Sequence, residues 1–223
     1  MEQDPGALVV AAGVNGAGKS TAIGTSIVSD GGAYYNPDLR TRALIEAGLD
    51  EAEANARSWR EGFVQLVAAI DQRQHFTFET TLGGHSVTCE LLRALAVGMP
   101  VTIYYVGLNN VELHLRRVAA RVARGGHDIP EQKIRERFVS SRENLLKFVG
   151  TSATLMLWDN SEEDPNGIPA PKRVLVIEDR KLILPSSVQE FQVMPDWARP
   201  IVQKALAVCA VPRKLREALQ TPR

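Results

Sequence analysis

Three groups of residues in this chain have the types and spacing to do chemistry on phosphate. The first is Gly13-Val-Asn15-Gly16-Ala17-Gly18-Lys19-Ser20-Thr21, which follows the apolar run from Ala7 to Ala12. Gly-x-x-x-x-Gly-Lys-Ser after a buried strand and before a helix is the phosphate-binding P-loop. Its glycines let successive backbone N–H groups turn inward as an anion nest, and the following helix aims its positive end at the same phosphate. Gly13, Asn15, Gly16, Ala17, Gly18, Lys19, Ser20 and Thr21 are thus the candidate nucleotide-binding residues. Lys19 would reach the β- and γ-phosphates, and the Ser20 hydroxyl would sit on Mg²⁺.

The second group is acidic. Asp38 follows Asn36-Pro37 at the end of a short run, Ala33 to Tyr35, that reads as a strand. It either faces the phosphate site and takes a proton from a substrate hydroxyl, or caps the helix expected over Leu39 to Ala47. Glu79 lies at the carboxyl end of the strand His75 to Thr81, where it would hold Mg²⁺ through water, bind a substrate hydroxyl, or simply be solvated. The third group is basic: Arg117, Arg121 and Arg124 recur at i, i+4 and i+7 on one side of a helix capped by Asn110. Like charges stacked in that way repel unless an anion sits among them, so beside a P-loop they read as a phosphate clamp. Gly125-Gly126-His127-Asp128-Ile129-Pro130 then forms a turn-rich connector of the kind that closes over a bound nucleotide, with His127 as a loop contact. Arg135, Arg137 and Arg142 on the next helix, Glu131 to Val149, read as solvent-facing.

The elements that must position these groups alternate. Asp50 to Arg73 is a helix whose Trp59, Phe63, Leu66, Val67 and Ile70 form one apolar stripe expected in the core. Val87 to Val97 is a second helix, Val101 to Val106 and Ala153 to Asn160 are central strands, and Arg173 to Ile177 with Lys181 to Leu184 is a hairpin. After Pro185 only Pro200 to Val208 reads as helix. Strands alternating with helices specify an α/β fold: a P-loop kinase-like parallel sheet flanked by helices, with a small C-terminal hairpin and helical tail. The domain expected over residues 1–184 carries the site. Residues 185–223 form an extension too short for its own core, packed on the domain or used for association.

Composition narrows the partners. Lys+Arg 26 balances Asp+Glu 26, so no global field favours nucleic acid or a membrane surface, and neither is expected as a partner. No apolar run spans a bilayer, and Met1-Glu-Gln-Asp-Pro has no signal-peptide character. Cys89 and Cys209 have no CxxC partner, which fits a reducing cytoplasmic setting without a disulfide or metal framework.

Taken together, Gly13 to Ser20, Asn36-Pro37-Asp38, Phe78-Glu79-Thr80-Thr81-Leu82 and Arg117-x-x-x-Arg121-x-x-Arg124-Gly-Gly-His-Asp-Ile-Pro130 resemble the zeta-toxin family of P-loop kinases, over roughly Leu8 to Asn160. Within it the chain is similar to bacterial homologues described as predicted ABC-type ATPases, although Leu82-Gly-Gly-His-Ser86 is not an ABC signature. The resemblance implies transfer of phosphate from ATP (or GTP), with Mg²⁺, to a hydroxyl of UDP-N-acetylglucosamine, and an antitoxin protein as a possible partner. It makes Asp38 the general base, places Asp38, Glu79, Thr80 and Thr81 on the substrate and Ser20 and Glu79 at the metal, and sets Lys19, Arg117 and Arg121 or Arg124 on the transferring phosphoryl group. Another nucleotide or cofactor as acceptor, and a nucleotide-gated binding module with slow hydrolysis, remain the alternatives. The segment between the arginines and Pro130 is shorter than in the toxins, and the tail after Pro185 has no counterpart.

Overall fold

In the computed structural model the described residues are 6–23, 34–126, 128–164 and 168–220, with the side chains of Ser20, Thr21 and 218–220 outside the description. Seven strands form one sheet in the order β2-β3-β1-β4-β5-β6-β7. They are β1 Leu8–Ala12, β2 Tyr34–Tyr35, β3 Phe76–Thr80, β4 Val101–Gly107, β5 Thr154–Asp159, β6 Lys172–Glu178 and β7 Lys181–Leu184. The helices are α1 Lys19–Ala22, α2 Pro37–Glu46, α3 Glu51–Asp71, α4 His85–Ala96, α5 Val111–Val122, α6 Glu131–Leu146, α7 Val188–Gln192, α8 Arg199–Val208 and α9 Arg213–Gln220. This is the α/β architecture that the alternating pattern specifies.

Helical returns make β2, β3, β1, β4 and β5 parallel, whereas β6 runs antiparallel to β5 and β7 to β6. The hairpin turn at Asp179 and Arg180 has φ of +47° and +59°, the left-handed pair that a tight two-residue turn demands. β1 is an interior strand: Val10 pairs in register with Phe78 of β3 on one side and Ile103 of β4 on the other. Val10, Ile103, Leu155 and Leu157 are fully buried, so the apolar runs seen in the sequence are the buried strands of a covered parallel sheet. The carboxyl ends of β1, β2 and β3 open on one edge, where ligands of such sheets sit.

Two local outcomes differ from the sequence reading. Helix α2 begins at Pro37, and its cap is Asn36, whose Oδ1 accepts from the N–H groups of Asp38 (2.9 Å) and Leu39 (3.1 Å). Proline at the first helical position fixes the cap one residue upstream and leaves the Asp38 carboxylate free of capping. In α3, Leu66 and Ile70 are buried as expected, but Trp59 is 54 % exposed. The first half of α3 packs on α2, with Ser58 Oγ donating to the Pro37 carbonyl at 2.9 Å, so Trp59 overhangs a cavity. The strand expected from Ala33 is described only at Tyr34 and Tyr35; Ala33 lies outside the described residues.

The segment after Pro185 holds two helices, α7 and α9, that periodicity did not reveal. Ser187 and Glu190 form a reciprocal capping box at α7. Met194, Trp197, Ile201, Val202, Ala205 and Leu215 are buried in the same apolar cluster as β4, β5 and β6. Trp197 lies against Gly107, where an added Cβ would stand 2.5 Å from the indole, and its Nε1 donates to Asp159 at 3.0 Å.

Candidate functional site

The floor of the site is backbone. Gly16 and Gly18 adopt φ of +80° and +84°, which L side chains rarely reach, and this turns the loop into a concave nest. Gly13 N–H donates to the Thr80 carbonyl at 3.2 Å, fixing the loop to the end of β3. Lys19 Nζ donates to the Gly13 carbonyl at 2.9 Å, so the ammonium spans the mouth of the nest. The backbone of Ser20 and Thr21 continues into α1; their side chains, expected at Mg²⁺ and phosphate, lie outside the described residues.

Buried side chains hold this loop from behind. Asn160 Nδ2 donates to the Ala17 carbonyl at 2.8 Å and lies so close to Gly18 that a Cβ there would stand 2.5 Å from it. His114 of α5, 1 % exposed, bonds through Nδ1 to the Asn15 carbonyl at 2.8 Å. The partner is a carbonyl, so Nδ1 carries the proton. Burial pushes the His114 pKa down to about 4, and Arg142, Lys19 and Arg117 add positive charge that pushes the same way. The imidazole is therefore neutral near pH 7.

A cavity of about 990 Å³ opens above the floor, with Asn15, Lys19, Asp38, Glu79, Thr80 and Thr81 on its walls. Six of the residues singled out in the sequence thus face one space. Asp38 lies in the first turn of α2 and pairs with Arg121, Oδ2 to Nη1 at 3.1 Å. Glu79 is 8 % exposed and accepts a hydrogen bond from the Tyr34 hydroxyl, which ties β2 to β3. Burial and the Glu79 carboxylate raise the pKa of the Tyr34 phenol well above its usual value. Thr80 and Thr81 contribute backbone first: the Thr81 carbonyl accepts from Ser141 Oγ at 2.6 Å.

The basic stripe is divided. Arg117 pairs with Glu163 at 3.3 Å, while its Nη1 is buried with no hydrogen-bond partner among the described residues. Arg121 takes Asp38. Arg124 is exposed in the turn after α5, off the helix on which the stripe was expected. Carboxylates of the protein, Glu163 and Asp38, therefore relieve part of the repulsion. His127 lies outside the described residues.

Two arginines read as solvent-facing point inward. Arg137 of α6 lines the cavity and donates from Nη1 to Asn15 Oδ1 at 2.8 Å. Burial lowers its pKa while the nearby Asp38 carboxylate raises it, so the two charges share one field. Arg142 stacks 3.7 Å over the Phe138 ring and donates to the Leu108 carbonyl at 2.8 Å. Arg135 does stay at the surface, bridging Glu112 (2.9 Å) and Glu131 (2.7 Å). A signal for Arg137 was present: it adjoins Phe138 and lies one turn from Ile134 and Ser141 on the buried face of α6. His114 likewise shares a face with Val118, both buried.

No protein-family model matches the chain. The fold is shared with AvrRxo1-ORF1 from its complex with AvrRxo1-ORF2, at a TM-score of 0.62 and 15 % identity over 96 % of this chain and 75 % of that one. A structure of the same complex with ATP aligns at a TM-score of 0.59 and 14 % identity, over 86 % of this chain and 64 % of the other. A third, with sulphate ions, aligns at a TM-score of 0.61 and 15 % identity, and there too this chain spans 64 % of the matched chain's length. In sequence, an uncharacterised protein of Haemophilus influenzae is 35 % identical over 134 residues, which is 56 % of this chain and 88 % of that protein. The chain belongs to the family of this Haemophilus influenzae protein.

Proposed function

We propose that the chain is a small-molecule kinase that transfers the γ-phosphoryl group of ATP (or GTP) to a hydroxyl, with a sugar nucleotide of the UDP-N-acetylglucosamine type as acceptor. The observation that carries this reading is the placement of Lys19 on the P-loop and the Asp38 carboxylate on walls of the same cavity. A phosphate donor on the nest and a hydroxyl beside Asp38 would meet there. Catalysis of this kind consists of positioning and charge neutralisation.

In this reading Lys19 leaves the Gly13 carbonyl for the β- and γ-phosphates. The Nη1 of Arg117, without a hydrogen-bond partner among the described residues, is a donor suited to an anion, and Arg121 leaves Asp38 for the transferring group. That exchange frees Asp38 to accept the acceptor's proton as the phosphoryl group arrives. Arg137 holds Asn15 and the negative field near Asp38. Ser20 directly follows Lys19, the place from which a hydroxyl would hold Mg²⁺, and that ion would supply positive charge to offset that of the phosphates. Such an ion needs only one or two protein oxygens besides phosphate and water. The AvrRxo1-ORF1 structures contain AvrRxo1-ORF2, and one contains ATP; a protein partner analogous to an antitoxin, covering the cavity, is part of this proposal. So is a division of the chain into a catalytic body, 1–184, and an extension, 185–223, packed on it.

The test is incubation with γ-labelled ATP and Mg²⁺ against UDP-amino sugars, other nucleotides and water alone. Label on a UDP-sugar is expected. Label appearing only as free phosphate, with every acceptor silent, would replace the kinase with a nucleotide-gated binding module.

A further inference from the structure

Helix α3 turns one stripe of side chains toward the cavity, and its centre is aromatic. Trp59 and Phe63, one turn apart, stack with centroids 5.3 Å apart and planes 8° from parallel. Both line the cavity, together with the small residues Ala56 and Ala52, one and two turns before Trp59. Trp59 therefore stands clear of the wall, with the half-buried Phe63 stacked on it. Trp59 keeps 54 % of its surface exposed although it lies in a concavity. Trp197 shows the contrast: it is 5 % exposed and wedged against Gly107. A hydroxyl and a phosphoryl group alone would fill little of a space of about 990 Å³. Trp59 and Phe63 are among the residues that line the remainder.

We propose that Trp59 and Phe63 form a stacking shelf for a planar heteroaromatic ring of the acceptor. Specificity in this cavity is then set by two side chains of α3 rather than by the phosphate-binding loop. The inference rests on the kinase reading for the word acceptor, but not for the binding itself. A shelf reads the face of a ring and not its edge, because every nucleobase has a π-face. It selects ring-bearing compounds over bare sugars and polyols while discriminating weakly among bases. A protein partner is the other use of an exposed tryptophan. The concave setting, continuous with Lys19 and Asp38, favours the small ring.

The experiment is a titration of the whole protein with UMP, AMP and ribose 5-phosphate, without ATP, read by tryptophan fluorescence for wild type and Phe63→Leu and by calorimetry for wild type, Trp59→Phe, Trp59→Leu and Phe63→Leu. Quenching by both nucleotides and none by the ring-free sugar phosphate is expected, with Trp59→Leu weakening nucleotide binding about tenfold. Trp59→Phe, which keeps a stacking surface, should stay within about threefold by calorimetry. Phe63→Leu should fall between them, and it keeps the test open should a Trp59 variant misfold. Nucleotide binding unchanged in Trp59→Leu and Phe63→Leu overturns the shelf, whatever the transfer assay shows. Quenching that holds where labelled transfer fails removes the kinase reading and leaves the shelf in place.

Discussion

The floor and the wall of the cavity are built from different materials. The floor is main chain: nine consecutive residues, Gly13 to Thr21, anchored by Thr80, His114 and Asn160 from three distant elements. The wall is side chain, carried on α2 and α3. Those helices are joined by the Arg40–Glu61 pair, with Arg57 on Glu61 as well, and by Ser58 Oγ donating to the Pro37 carbonyl at 2.9 Å. A backbone nest binds any phosphate, because the phosphate is common to every donor. An exposed helix pair presenting Asp38, Trp59 and Phe63 can change its residues without disturbing the sheet. In the proposed function, then, phosphate capture and acceptor choice are separable, and perturbations of the two regions should have different signatures.

The largest separation is expected from Asp38→Asn, which keeps the wall's shape but removes the carboxylate proposed to accept the proton. Turnover in the labelled transfer assay should fall by about 10²- to 10⁴-fold, or roughly 3–5 kcal/mol in the barrier. ATP affinity measured by calorimetry should change by less than about threefold, because the floor is untouched. Wild-type turnover in the variant would reduce Asp38 to an ion-pair partner of Arg121 and sever the wall from the chemistry.

The same division explains what could be read without coordinates. Gly13 to Thr21 is legible because its function is encoded in local spacing and needs only a strand before it. The wall is a product of tertiary placement. Trp59 continues a perfect helical stripe with Leu66 and Ile70, but the helix packs on α2 at that point, so periodicity assigned it to the core. Arg137 and Arg142 sit among charged neighbours that make α6 look solvated; a cavity and the Phe138 ring draw them inward. Asn36, Pro37 and Asp38 all carry helix-start signals, and the proline's fixed φ is what decides among them. Arg117 and Arg121 were legible as a pair, whereas the end of α5 before Arg124 depended on the turn that follows.

Acid should dismantle the floor before the wall. His114 is held at about 4 in the folded protein against an ordinary 6.5, so the unfolded chain binds more protons between those values. Stability therefore declines as pH falls from 6.5 toward 4, by up to about 3 kcal/mol. Glu61 behaves oppositely in origin: Arg40 and then Arg57 pull its carboxyl from 4.5 down to about 2. Its contribution is present above pH 4.5 and is lost only as pH drops toward 2, and it is smaller because the side chain is 29 % exposed. Urea melts across pH 3 to 7 should show wild type losing stability in the upper window, with His114→Gln flattening that slope and Glu61→Gln leaving it intact. An upper-window slope that survives His114→Gln would place the acid-sensitive group elsewhere than the floor.

The smallest effect tests whether the wall's ion pairs are structural at all. Arg57 lies four residues before Glu61 on the same helix, at 2.9 Å, with 53 % of its side chain exposed. Such a pair contributes about 0.5 kcal/mol at most, because solvent screens it and two long side chains must be ordered to form it. Arg57→Ala should lower the melting temperature by no more than about 2 °C. Arg40→Ala removes the pair that crosses from α2 to α3, and so should raise the KM for the acceptor while leaving ATP affinity alone. An equal effect of Arg40→Ala on both ligands would mean that α2 transmits strain to the P-loop, and the floor and wall would then be one mechanical unit.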